Sequence, residues 1–258
     1  MRGSLALLAL LLVGAAPEAP DGTTILARAT EAAGGADWAN ARTLILRGRA
    51  VFYGESGATP KTSPDTYVMY REFDPGRQAA HGAEGKLRII VADQGKLTWT
   101  VGYDGETTWT EKGIVPKAEA DAMWASNFGF GIIRHASKPG FKAERLPDDQ
   151  VDGFPSYMVR LTDPTGSISL FAVDKKSHAL RMVGFATPRG WHARTYSGFF
   201  RPRSMPRWLQ AGKVTLLYNG VKQNEIHWKS ADINPAINPS AFAATGHDLT
   251  LDVTPPAR

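Results

Sequence analysis

The sequence predicts a mainly β fold (α+β) built from antiparallel strands, and two observations carry that reading. Three Asx-Gly pairs, Asp104-Gly105, Asp152-Gly153 and Asn219-Gly220, each stand between runs of alternating apolar residues. Such pairs supply the positive φ angles of tight two-residue turns, so each marks an antiparallel hairpin. The flanking runs alternate with a period of two. Leu97, Trp99, Val101 and Tyr103 lead into the first turn with Thr98 and Thr100 opposite; Val214, Leu216 and Tyr218 lead into the third, and Ile226 and Trp228 leave it. A meander of this kind has one apolar face that something must cover.

The elements follow in order. Arg2, the apolar run 5–13 and the small residues Gly14, Ala15 and Ala16 have the layout of a cleaved export signal over residues 1–16, too short to span a bilayer. Thr23 or Thr24 is placed to cap a helix running to about Ala33, with Ile25, Leu26, Ala29 and Ala33 on one side and Gly34-Gly35 ending it. A strand over 43–53 alternates Leu44, Leu46, Ala50 and Phe52 with Arg47 and Arg49. The Gly-, Pro-, Ser- and Thr-rich stretch 54–64 reads as a loop, and so does 75–85. Between and after them, strands are expected at 66–73, 87–92, 97–103 and 106–111.

Pro116 suits the first turn of a second helix, with Glu119 and Asp121 where the helix dipole favours acids. Ala120, Met123, Trp124, Phe128 and Ile132 form its apolar stripe, and Gly129 and Gly131 weaken its second half. Strands are expected at 141–146, 156–162, 167–173, 180–186, 192–200, 214–218 and 224–229. The turns Asp163-Pro164-Thr165-Gly166 and Thr187-Pro188-Arg189-Gly190 punctuate them. No linker divides the chain, so one domain is expected over 17–243, followed by an Ala-, Thr- and Pro-rich tail over 244–258.

Composition excludes several chemistries. With no cysteine there is no disulfide, thiolate metal site, cysteine nucleophile or cysteine-linked lipid. The net charge of +5 falls to +4 without residues 1–16, which contain Arg2 and no acid. That balance suits anionic surfaces, membranes included, and does not point to nucleic acid. Gly54-Glu55-Ser56-Gly57 has Ala58 where a nucleophile elbow needs glycine, and no H-E-x-x-H occurs. The histidines are scattered, and Asp148, Asp149 and Asp152 sit around a turn. No catalytic residue, metal or cofactor is expected, so the chain reads as non-enzymatic.

The order of hairpins resembles a known family. The segment Val101-Gly102-Tyr103-Asp104-Gly105-Glu106-Thr107-Thr108-Trp109 is similar to the YDG…W hairpin of periplasmic proteins with the outer-membrane lipoprotein carrier fold (LolA/LolB-like). Val151-Asp152-Gly153-Phe154-Pro155-Ser156-Tyr157 resembles the hairpin that follows it, and 167–173 with Asp174-Lys175-Lys176 resembles the strand ending in an acid–lysine turn. Tyr218-Asn219-Gly220, Ile226 and the segment from Asn234-Pro235 to Phe242 are similar to the family's closing strand pair and its NP…F end. The resemblance spans residues 22–243 and implies a curved antiparallel sheet, an unclosed half-barrel with helices packed in its concave face.

It also implies a periplasmic protein that holds lipid, or the acyl chains of a lipoprotein, between sheet and helices for transport or sorting. The expected lining is Trp99, Val101 and Trp109 from the sheet with Met123, Trp124, Phe128 and Ile132 from the helix, a set that fits a lined cavity and a filled core equally. Arg201, Arg203, Arg207 and Trp208 form a basic, aromatic loop suited to phosphate headgroups in a transient membrane contact, or to an acidic partner; a simply solvated loop has the same composition. An envelope-stress regulator of similar fold, acting through a membrane-associated protein partner, is the alternative.

Overall fold

The structure is a computed structural model that describes residues 19–126 and 130–243. The export signal, Phe128 and the 244–258 tail lie outside the described residues. In chain order, α1 (Gly22–Ala33) and α2 (Ala36–Ala39) precede β1 (Thr43–Tyr53), β2 (Pro60–Thr62), β3 (Thr66–Glu72), β4 (Lys86–Asp93), β5 (Lys96–Tyr103), β6 (Thr108–Thr110) and β7 (Gly113–Ile114). After α3 (Lys117–Ala125) and a 3-10 helix at Phe130–His135 come β8 (Lys142–Val151), β9 (Phe154–Thr162), β10 (Ile168–Asp174), β11 (Leu180–Thr187), β12 (Gly190–Ser197), β13 (Lys213–Tyr218) and β14 (Val221–Ile233). A short 3-10 turn, Pro239–Ala241, closes the described chain.

All pairings are antiparallel. β1 and β14, from opposite ends of the chain, zip together from Leu44↔Ile233 to Phe52↔Asn224. The sheet spreads from that pair through β3 to β7 on one side and β13 back to β8 on the other, while β2 pairs with β1 off this path. β7 and β8 are free edges, so the sheet is an unclosed half-barrel.

Turn chemistry sets the register. Asp152-Gly153 (φ 49° and 79°) and Asn219-Gly220 (φ 49° and 79°) each join strands through two left-handed residues, as a type I′ turn requires. Asp104-Gly105 departs from that pattern. Pairing resumes only at Tyr103↔Thr108, and the Asp104 carboxylate accepts the amides of Glu106 (2.9 Å) and Thr107 (2.7 Å), an Asx turn inside a longer loop.

Three other expectations need correction. The cap of α1 is Asp21, whose carboxylate accepts the Thr24 amide at 2.7 Å, because the helix begins two residues before the threonines' first turn would allow. The second helix stops at Ala125, and Ile132 belongs to the separate 3-10 helix. Leu97 and Trp99 do not share a face: a bulge pairs Val91 with Trp99 but Ala92 with Leu97, leaving Thr98 as the extra residue.

The sheet is apolar on both faces near its centre. On the inner face, Ile25, Leu26 and Ala29 of α1 with Ile132 and Ile133 pack against Val159, Leu161, Phe171, Val173, Val183 and Phe185. This cluster fills the β9–β11 half. On the outer face, Ile45, Val68, Tyr70 and Ile90 are covered by Phe242, with Ile237 and Leu97 beside them. The single apolar face expected from the sequence is therefore two, and the segment after β14 is a strap across the second.

Candidate functional site

The inner face of the other half is left unfilled. Between it and α3 lies a cavity of about 560 Å³, within the roughly 300–1,000 Å³ range of ligand pockets. Its walls come from alternate residues of successive strands: Leu44, Leu46 and Phe52 of β1, Tyr67 and Met69 of β3, Leu87 and Ile89 of β4, Trp99 and Val101 of β5. Leu216 and Val214 of β13 and Ile226 and Trp228 of β14 close the far side. The aromatic rings meet edge to face. Phe52 and Tyr67 each lie 6.3 Å from Trp99, and Tyr67 lies 5.4 Å from Trp228.

α3 covers the cavity with few anchors. Only Ala120 and Trp124 are buried in it. The Trp124 indole donates to Thr108 Oγ1 at 2.7 Å, and the Tyr103 ring meets it edge-on at 6.1 Å. Met123 faces the lumen beside it.

The sequence-derived lining residues therefore separate. Trp99, Val101, Met123 and Trp124 come together around the lumen. Trp109 does not. It pairs with Gly102, one residue out of phase with Val101, and so points to the outer face, where its indole donates to the Phe242 carbonyl at 2.9 Å. Arg88 lies 5.5 Å from its ring. Ile132 is sealed in the α1 core.

The basic loop is also corrected. Trp208 is 1% exposed, donates to Gln210 Oε1 at 3.1 Å and lines the cavity instead of the surface. Arg201 turns back on its own loop, donating to the carbonyls of Pro206 (3.1 Å) and Arg207 (2.6 Å). Arg207 faces Glu31 of α1 at 3.6 Å, while Arg203 is exposed.

Sequence reasoning missed the charged part of the wall. Arg71, Arg134 and Arg194 all line the cavity. Glu84, from the loop before β4, accepts from Arg71 at 2.8 Å and from Arg77, and all three are buried. Burial pushes the Glu84 carboxyl up, but Arg71, Arg77 and Arg134 outweigh it and hold the group below the ordinary carboxylate range.

The Arg134 guanidinium sits 4.0 Å from the Phe73 ring, 4.4 Å from Trp38 and 5.4 Å from Trp208. Burial, and then Arg71, push it down to about 9, so it remains a cation at neutral pH. Burial likewise lowers Arg194 and pushes Tyr67 and Tyr196 up to about 12, against the pull of Arg194. One signal for this wall was present: Tyr67, Met69, Arg71 and Phe73 alternate in one strand, with a cation at an inward position.

Among the described residues no helix is long and apolar enough to cross a membrane. No protein-family model matches the chain, and no curated protein matches it. Solved structures do match. A domain from Vibrio parahaemolyticus, provisionally designated an outer membrane lipoprotein-sorting protein, superposes with a TM-score of 0.53 at 11% identity, covering 86% of this chain and 95% of that one. A DUF1329 family protein from Desulfovibrio piger gives 0.52 at 10% identity, covering 86% and 95%. A LolA superfamily protein from Nitrosomonas europaea gives 0.49 at 10% identity, covering 87% and 98%. At such identities the likeness is one of fold. On the first two, the chain shares the fold of the Vibrio domain and of the DUF1329 protein, an unclosed antiparallel half-barrel of the kind that its order of hairpins implies.

Proposed function

We propose that the protein is exported to the periplasm and takes up lipid, or the acyl chains of a lipoprotein, in the cavity beneath α3, carrying that cargo across the envelope without chemical change. The observation that carries this reading is an apolar lumen of about 560 Å³ left open where the other half of the same face is packed solid. Each methylene moved from water into it is worth about 0.8 kcal/mol, so part of one chain supplies useful affinity. The lid is cheap to move, because Ala120 and Trp124 are its only buried residues. The designation of the Vibrio domain points the same way. Arg203, exposed on the 201–209 loop, is free to meet phosphate headgroups at delivery.

Uptake of the neutral fluorophore N-phenyl-1-naphthylamine, followed by its emission, tests this. Wild type is expected to bind it and to release it on addition of a palmitoyl lipid. Leu216→Trp, which fills the lumen, is expected to lose uptake by at least ten-fold while keeping its far-ultraviolet circular dichroism. Equal uptake by a folded Leu216→Trp protein contradicts the cavity assignment. Failure of uptake in wild type, together with specific capture of a membrane-protein segment, moves the reading to a partner-dependent regulator.

A further inference from the structure

The lumen is apolar, yet its wall carries more positive than negative charge. Arg71, Arg134 and Arg194 line it, and Arg77 stands behind Arg71 on the same carboxylate, Glu84. The three line one lumen, and Arg71 acts electrostatically on both Arg134 and Arg194. Glu111 also lines the cavity, but it is exposed, and its Oε2 accepts the Thr100 amide at 3.0 Å.

Crowding like charges into a low-dielectric wall works against folding unless something compensates. Arg71 and Arg134 both lie within 5 Å of the Phe73 ring centre. The Nη1 of Arg134 is buried and has no hydrogen-bond partner among the described residues. Planar guanidinium forks are matched to carboxylate and phosphate oxygens, which they bind in pairs.

We infer that the cargo is an amphipathic anion, an acyl chain ending in a carboxylate or phosphate, whose headgroup is held by Arg71, Arg134 and Arg194 while its chain lies along the aromatic wall. This deepens the acyl-binding reading and rests on it. A neutral headgroup would offer these guanidinium forks no anionic oxygens at the moment the lid excludes water.

The test is displacement of N-phenyl-1-naphthylamine from the full-length exported protein by three lipids sharing one palmitoyl chain: palmitate, 1-palmitoyl lysophosphatidate and neutral 1-monopalmitoyl glycerol. At least one anion is expected to bind ten-fold or more tightly than the neutral lipid. Which anion leads identifies the source of the headgroup, fatty acid or phospholipid. Arg134→Met and Arg194→Met are expected to bring the ratio toward one without weakening the glycerol lipid, and Arg134→Lys to preserve most of it. Equal affinity for all three lipids in wild type overturns the inference and leaves acyl binding standing. Binding of none of them overturns acyl binding itself. The wild-type ratio decides even where a methionine variant fails to fold.

Discussion

At Gly102 an added Cβ would stand 2.1 Å from the Trp109 ring, so the strand and the indole fit only because that position has no side chain. Gly102→Ala is expected to destabilise the fold by about 1–3 kcal/mol, as overpacking does, read as a lower urea midpoint with a shifted tryptophan emission. Glu84 raises the opposite problem. Removing its charge strands Arg71 and Arg77 in a buried site. Glu84→Gln is expected to cost about 3–5 kcal/mol in the same measurement; a loss below 1 kcal/mol would show that the cluster is solvated in solution.

The buried histidines set an acid limb. Burial, and then Arg194, push His192 down to about 3; burial, and then Lys138, push His135 down to about 4. Both are neutral in the fold, whereas the unfolded chain takes up the protons as pH falls below about 6.5. Stability is therefore full above that value and declines as pH falls toward 3, by up to about 1.4 kcal/mol per pH unit for each group. His192→Gln keeps an acceptor for the Arg194 Nε donor, now at 3.2 Å from His192 Nε2, and cannot titrate. Its melting temperature should fall less than that of wild type between pH 7 and 5, and parallel declines would refute this assignment.

Two elements carry the account at the next scale. The strap after β14 seals the outer face through Phe242, 1% exposed, whose carbonyl also accepts the Trp109 indole. Phe242→Ala is expected to cost about 3–5 kcal/mol, with increased dye binding as the outer face opens. α3 is its counterpart over the lumen, where Ala120 and Trp124 are buried. Trp124→Phe removes the indole hydrogen bond to Thr108, worth about 1 kcal/mol. Amide exchange in α3 should then accelerate about five-fold while β1 and β14 stay unchanged; a uniform acceleration would mean that the helix does not open on its own.

The difference between these elements explains what could be read beforehand. Hairpin order was legible, and strand phase where no bulge intervenes, because Asx-Gly turns and period-two runs are local; the bulge that separates Leu97 from Trp99 was not. The strap was not, because Ile237 and Phe242 are isolated apolar residues in a proline-rich segment, and only the fold brings β3 and β4 beneath them. The cationic wall was hidden for a related reason: Glu84 lies in a loop that reads as solvated, and Arg134 follows two core isoleucines. Trp109 shows the limit of phase arguments, since alternation within 106–111 does not say which face a short strand presents once it pairs with β5.

At the scale of the whole molecule, one face of a half-barrel is divided. The α1 side is packed solid, and the α3 side keeps an aromatic lumen edged with arginine. Folding alone would favour filling both, since voids forfeit packing energy and buried guanidinium groups lose hydration. A cargo that supplies apolar surface and negative charge resolves both losses at once. The most direct test is native mass spectrometry of the exported protein purified without detergent, followed by organic extraction. The account predicts an adduct near one per protein that extracts as an acylated anion. A bare protein mass, persisting after incubation with palmitate, lysophosphatidate and monopalmitoyl glycerol, would contradict it.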